Sequence, residues 1–240
     1  MKQPISSELQ ASFDLILKQL EFNFEDSFIG AYAQTFEGLH VVAVVEKPIT
    51  EQQKTNLNRA LLRELDRHIG LTIFSTEQIQ QGHPYESDFS YDPERNRAFV
   101  EDRIDTENLS NPLVNTPLLR IMEKHGVTLT GHPLRETLPT ITDDDYRVAL
   151  RSEAKERLGN LSTHSAVQIL HLCRILAFWR IGLVLATNEA GAWSIKNLDP
   201  RFQAMIERAT IEHQSGSEPG TYNSYQLDQF AEYVRDMLLR

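Results

Sequence analysis

Eight histidines, one cysteine and thirty-four acidic residues are available for chemistry, and their spacing decides what they can do. His40 closes Glu37-Gly38-Leu39-His40, just before the apolar run Val41–Val45. Glu77 follows another apolar run, Leu71–Ser75, and His83, Tyr85, Glu86 and Asp88 crowd a polar stretch. An imidazole or a carboxylate held near a reacting group can move a proton in general acid–base catalysis. His40, Glu77 and Glu86 are therefore the catalytic candidates. No HExxH or clustered Cys/His spacing is present, so no metal site is expected. His164 and His171, seven apart on one helix face, read as a core or interface pair. The triplet Asp143–Asp145 is explained by the favourable field at a helix start. Cys173 lies in the apolar run ILHLCRIL and reads as a buried structural thiol. There is no GxGxxG, Walker A loop or GxSxG.

The elements that would position these residues follow from periodicity. Phe13, Ile16, Leu17 and Leu20 fall at helical spacing after a possible Ser7 cap. Phe28–Ala33 and Leu39–Val45 are β-prone runs separated by a Gly-containing break, which predicts a hairpin. The second run is continuously apolar and reads as a strand covered on both faces. Thr50 and Gln53 form a capping-box pattern before a helix through Leu57, Leu61 and Leu65, with Gly70 as its stop. Leu71–Ser75 is a short strand, so strand, helix, strand implies a parallel or mixed sheet. Residues 80–111 are polar and turn-rich. Leu113–His125 reads as a helix closed by Gly126, and Val127–Thr130 as the last strand.

Pro139–Asp145 is the expected linker, giving one domain over 1–140 and a second over 141–240. The second reads as all helical: 144–157, 165–181 ending at Gly182, a segment around Trp193, 200–213 and 225–239. The fold class is thus α+β, a mixed sheet with helices followed by an all-α bundle. Trp179 and Trp193 read as packing residues between helices.

This order of motifs resembles the streptomycin/spectinomycin adenylyltransferases of the nucleotidyltransferase fold. That family carries Gly-Ser-Tyr-Ala, a turn, then Ser-Asp-x-Asp opening a strand. Here Gly30-Ala31-Tyr32-Ala33 and Glu37-Gly38-Leu39-His40 stand at those places, and Lys47-Pro48-Ile49-Thr50 stands at the family's Pro-Leu-Thr helix start. His83-Pro84-Tyr85-Glu86 with Asp88-Phe89 resembles a stretch that wraps the active site, and Gly131-His132-Pro133-Leu134 a Gly-Pro-Pro turn. In the helical half, Leu172-Cys173-Arg174-Ile175, Gly182, Ala190-Gly191-Ala192-Trp193, Leu198 and Phe230-Tyr233-Val234 keep the family's spacing. The resemblance implies AMP transfer from ATP to a hydroxyl, with magnesium on the paired carboxylates. It also implies an inter-domain cleft lined by Gly30, Ala31, Tyr32, Gly38, His40, Tyr85, His164 and Trp193.

The frame is kept while the chemistry departs. Ser is replaced by Ala31, and the carboxylates by Gly38 and His40. The catalytic Glu is missing at Leu71 or Thr72, the phosphate-binding Lys near Thr187, and a cleft acid around His164. The expected function is a catalytically degenerate relative that keeps its cleft for a small molecule or a protein partner, with no cofactor. One alternative is an active nucleotidyltransferase using Mg-ATP and other acids, such as Glu37, Glu77 or Asp88. Another is a cleft refitted for different chemistry by His40, His83 or Glu86.

A net charge of −10 argues against non-specific nucleic-acid binding, which depends on Lys and Arg meeting phosphates. It is compatible with a cationic ligand. The N-terminus lacks a signal-like apolar region, and the most apolar window, 166–186, holds Gln168, His171, Arg174 and Arg180. No membrane partner is expected, and a bacterial-type cytoplasm is the expected compartment.

Overall fold

The computed structural model describes residues 7–34, 39–64, 69–82, 84–91, 112–163, 165–215 and 220–239. The chain divides into two compact units, Met1–Thr142 and Asp143–Arg240.

In the first unit the apolar spacing of helix α1 (Ser7–Phe24) produces one stripe, Phe13, Ile16 and Leu20, that is fully buried. Five strands form one mixed sheet: β1 (Phe28–Gln34), β2 (Leu39–Val45), β3 (Ile69–Ser75), β4 (Phe89–Tyr91) and β5 (Val127–Gly131), in the order β4-β3-β2-β1-β5. β1 and β2 are the expected antiparallel hairpin, and β2 and β3 are parallel across α2 (Glu51–Glu64). The capping box forms as read: Gln53 N–H donates to Thr50 Oγ1 at 3.3 Å, and Thr50 N–H to Gln53 Oε1 at 3.0 Å.

Period-2 alternation sorts the strands into two faces. Ala31, Ala33, Val41, Ala43, Val45, Ile69, Leu71 and Ile73 pack with α1 and α2 into one core. The opposite face carries Gly30, Tyr32, Gln34, His40, Val42, Val44, Gly70, Thr72 and Phe74. Helix α4 (Pro112–His125) packs against β1, and Val42, Val44 and Phe74 are fully buried, so β2 is covered on both faces.

Two local readings change. Gly70 is not a helix stop but the second residue of β3, paired with His40. Between β3 and the turn-rich stretch, α3 (Thr76–Gln81) forms on a Ser75 cap, whose Oγ accepts Gln78 N–H at 3.4 Å, and within that stretch Phe89–Tyr91 adds the edge strand.

Among its described residues the second unit contains helices and their connections but no strand: α6 (Asp143–Gly159), α7 (Ser165–Ile181), α8 (Thr187–Asn197), α9 (Gln203–Ser215) and α10 (Ser224–Leu239), after the short α5 (Leu134–Thr137) at the end of the first unit. α7 is apolar almost all round and packs against each of the other four, so it is the hub of the bundle. Cys173 is fully buried there, and burial pushes its thiol up to about 12, which makes it inert. Among the described residues no helix is long and apolar enough to cross a membrane.

Candidate functional site

The pairing of β2 with β3 builds the candidate site. Parallel register sets His40 beside Gly70 and Val42 beside Thr72, all on the face away from α1 and α2. Gly70 has no side chain, and the His40 ring lies over it. A Cβ at residue 70 would collide with His40 Nδ1, so glycine is what admits the imidazole. The ring then reaches two residues along β3, where Nε2 lies 2.9 Å from Thr72 Oγ1. Gln34, whose Cα pairs with that of His40, is buried on the same face. The result is a half-buried imidazole held by a buried hydroxyl.

Magnesium is the ion that the resemblance brings to this place, so the donors can be tested against it. Mg²⁺ takes hard oxygen ligands in near-octahedral geometry, with carboxylates prominent, and imidazole suits zinc, copper or nickel. His40 with Thr72 is not a magnesium donor set. Among the described residues no group of three or more His, Cys, Asp or Glu could hold a metal ion.

The structure brings some predicted site residues together and separates others. Gly30, Tyr32 and His40 share a face. Tyr32 is fully buried, its hydroxyl donates to the His132 carbonyl at 3.0 Å, and burial raises its phenol above the ordinary value. That hydroxyl ties β1 to the turn after β5. Ala31 does not share the His40 surface. It pairs with Ala43 inside the core beneath α1 and α2, because it alternates with Gly30 and Tyr32. Gly38 and His164, with Glu37 and His83, lie outside the described residues.

Glu77 is exposed on α3, beyond the end of β3. Five residues separate Ser75 from Gly70, the neighbour of His40, roughly 16 Å at about 3.3 Å per residue. Tyr85 is buried, its carbonyl accepting Asn115 Nδ2 at 2.8 Å, and Glu86 is exposed. Asp88 is already engaged, with Oδ2 accepting Ser75 N–H at 2.6 Å and Oδ1 accepting Ile49 N–H at 3.4 Å. Trp193 is half-buried on α8 in the helical unit.

Sequence reasoning missed two arrangements. Thr72 as the partner of His40 depends on strand register, which composition does not carry. The second is the contact of His171 with Glu153. Glu153 Oε1 accepts a hydrogen bond from Arg174 Nη2 at 2.7 Å and lies 3.2 Å from His171 Nδ1 and 3.6 Å from Arg157 Nε. The visible signal was Gln168, His171 and Arg174 at three-residue steps in an apolar helix, opposite Glu153 and Arg157 four apart.

A mixed five-stranded sheet packed with helices, continued by a helical bundle, is an α+β fold of the nucleotidyltransferase type. Comparison with known proteins adds a sequence match over the helical part and a structural match over nearly the whole chain. Residues 136–237 match the family model for the aminoglycoside adenylyltransferase C-terminal domain. The structure is similar to the crystal structure of spectinomycin adenyltransferase AAD(9) from Enterococcus faecialis with ATP and spectinomycin. The TM-score is 0.81 at 19% identity, over 96% of this chain and 99% of that one. Among curated proteins none matches the sequence significantly. The chain is aminoglycoside adenylyltransferase-like, by sequence in its helical part and by fold over nearly its whole length.

Proposed function

We propose that this chain is a catalytically degenerate member of the adenylyltransferase-like group, binding a small molecule or a protein partner without transferring a nucleotide. The observation that carries the reading is the His40–Thr72 hydrogen bond, 2.9 Å long, at the strand positions where the related enzymes need acids. Nucleotidyl transfer stabilises charge on a leaving pyrophosphate, and a metal seated on carboxylates supplies several kcal/mol of that, about three decades in rate. A hydrogen-bonded imidazole and hydroxyl have no such role. Two of the three acids considered as substitutes support the same reading: Asp88 is committed to two backbone N–H groups, and Glu77 lies beyond the far end of β3. The related AAD(9) structure holds ATP and spectinomycin, so these two are the first ligands to offer.

An assay with radiolabelled ATP, magnesium and either spectinomycin or streptomycin tests the proposal. No label is expected on the antibiotic. Transfer at about one per second, a typical enzymatic turnover, overturns it. Thermal shift separates binding from chemistry, because a ligand that binds only the folded state raises the melting temperature by mass action. A rise with the aminocyclitol alone, unchanged by Mg-ATP, is the expected pattern.

A further inference from the structure

Helix α6 carries Arg147, Arg151 and Lys155 at four-residue spacing, one turn apart on one exposed face. Two of them are ordered by an aromatic ring on the hub helix. The guanidinium carbons of Arg147 and Arg151 lie 5.8 and 5.0 Å from the centroid of Trp179, and Arg147 also lies 5.8 Å from that of Phe178. A guanidinium held by its face on an aromatic ring keeps its N–H edges available for planar, bidentate acceptors. Acidic groups are near in sequence: Asp143, Asp144 and Asp145 open the helix and Glu156 follows Lys155. Among the described residues, none of the three cations is ion-paired with them or with any other carboxylate. Beside the arginines Val148 is 51% exposed. Pre-ordered cations with an exposed apolar side chain among them form an unpaired positive stripe on a chain whose net charge is −10.

We propose that this face docks an acidic segment of another protein, its carboxylates meeting Arg147, Arg151 and Lys155 while an apolar side chain covers Val148. Charge complementarity and size favour that occupant. The stripe spans about 12 Å at roughly 1.5 Å per residue, the reach of a few extended residues. A long polyphosphate would add the repulsion of an acidic chain over the surrounding Debye length and has no use for Val148. The inference concerns the helical unit and does not rest on the fate of His40.

Fluorescence anisotropy with a short fluorescein-labelled peptide of glutamate interspersed with leucine tests it on the full chain. Saturable binding that weakens with salt is expected, and Arg147→Glu with Arg151→Glu should weaken it at least about tenfold. Lys155→Glu leaves the stack on Trp179 in place and should weaken binding several-fold, so a folding defect in the double variant does not shelter the idea. Circular dichroism and melting curves establish that each variant is folded. Absence of binding, or affinity unchanged in folded variants, overturns the proposal. A DNA oligonucleotide competing more tightly than the peptide overturns it in favour of a polyphosphate surface. Self-association abolished by Lys155→Glu overturns it in favour of a second copy.

Discussion

Glu153 remains ionised with 3% of its surface exposed, and the reason is its company. Burial alone would raise its pKa, but Arg174, then His171 and Arg157, more than reverse that and hold the carboxyl at about 2. Arg174 is itself 4% exposed, so removing the carboxylate strands a buried cation. Glu153→Gln keeps the shape and loses the charge, and should cost about 3–5 kcal/mol in urea unfolding, the usual penalty for breaking a buried pair from one side. The pH dependence has a definite sign. Folded Glu153 binds fewer protons than the unfolded chain, whose carboxyl titrates near 4.5, so its contribution is full above that value and is lost as pH falls toward about 2. His171 acts in the same direction. Burial is the largest influence and lowers its pKa below 6.5, against the contact with Glu153, so the fold favours the neutral ring and loses stability as pH falls below that value. The melting temperature should therefore decline in two stages on acidification, and Glu153→Gln should remove the second. A wild-type melting temperature level from neutrality to strong acid would refute this account.

Secondary elements in this chain meet through glycines as much as through apolar faces. Gly191, inside α8, is buried where a Cβ would strike Thr210 Oγ1 on α9 and approach Leu170 Cδ2 on α7 to 3.0 Å. Glycine in mid-helix costs about 1 kcal/mol relative to alanine. Here it permits the close approach of three helices, so the loss in propensity is offset by packing. Gly191→Ala should destabilise the bundle by about 1–3 kcal/mol through overpacking. In a Thr210→Ala background, which removes the obstructing Oγ1, the same change should be nearly neutral or stabilising. A double-mutant cycle in denaturant measures the difference, and additive effects would exclude the clash as the cause. Elements of this kind were legible where their signals are local: the Thr50–Gln53 box, the helical spacing of Phe13, Ile16 and Leu20 and the β-prone runs on either side of the hairpin turn all formed. Gly70 was not, because a glycine after a helical pattern reads as a stop. Only the register of β3 on β2 reveals it as the space for His40. For the same reason His40 stood out in the sequence while its partner Thr72 did not.

At the scale of the whole molecule each of the two units buries a set of large apolar side chains. The sheet unit buries Phe13, Ile16 and Leu20 against Ala43, Leu71 and Ile73. The helical unit buries Tyr146, Ile169, Phe178, Phe202, Ile206 and Phe230, with Tyr146 edge-on to Phe178 at 4.5 Å and Phe202 to Phe230 at 5.2 Å. The ion pairs among Glu153, Arg157, His171 and Arg174 also lie within this unit. A unit of about a hundred residues buries enough apolar surface to fold by itself. The segment 143–240, expressed alone, should therefore be helical by circular dichroism and unfold in one cooperative transition. It should also keep the acid sensitivity that Glu153 confers, because that carboxylate and its cations travel together in the fragment. Loss of this sensitivity with helicity retained would identify a molten bundle whose packing the fragment alone cannot complete. A cooperative melt whose acid limb disappears in Glu153→Gln would establish the helical unit as an autonomous fold.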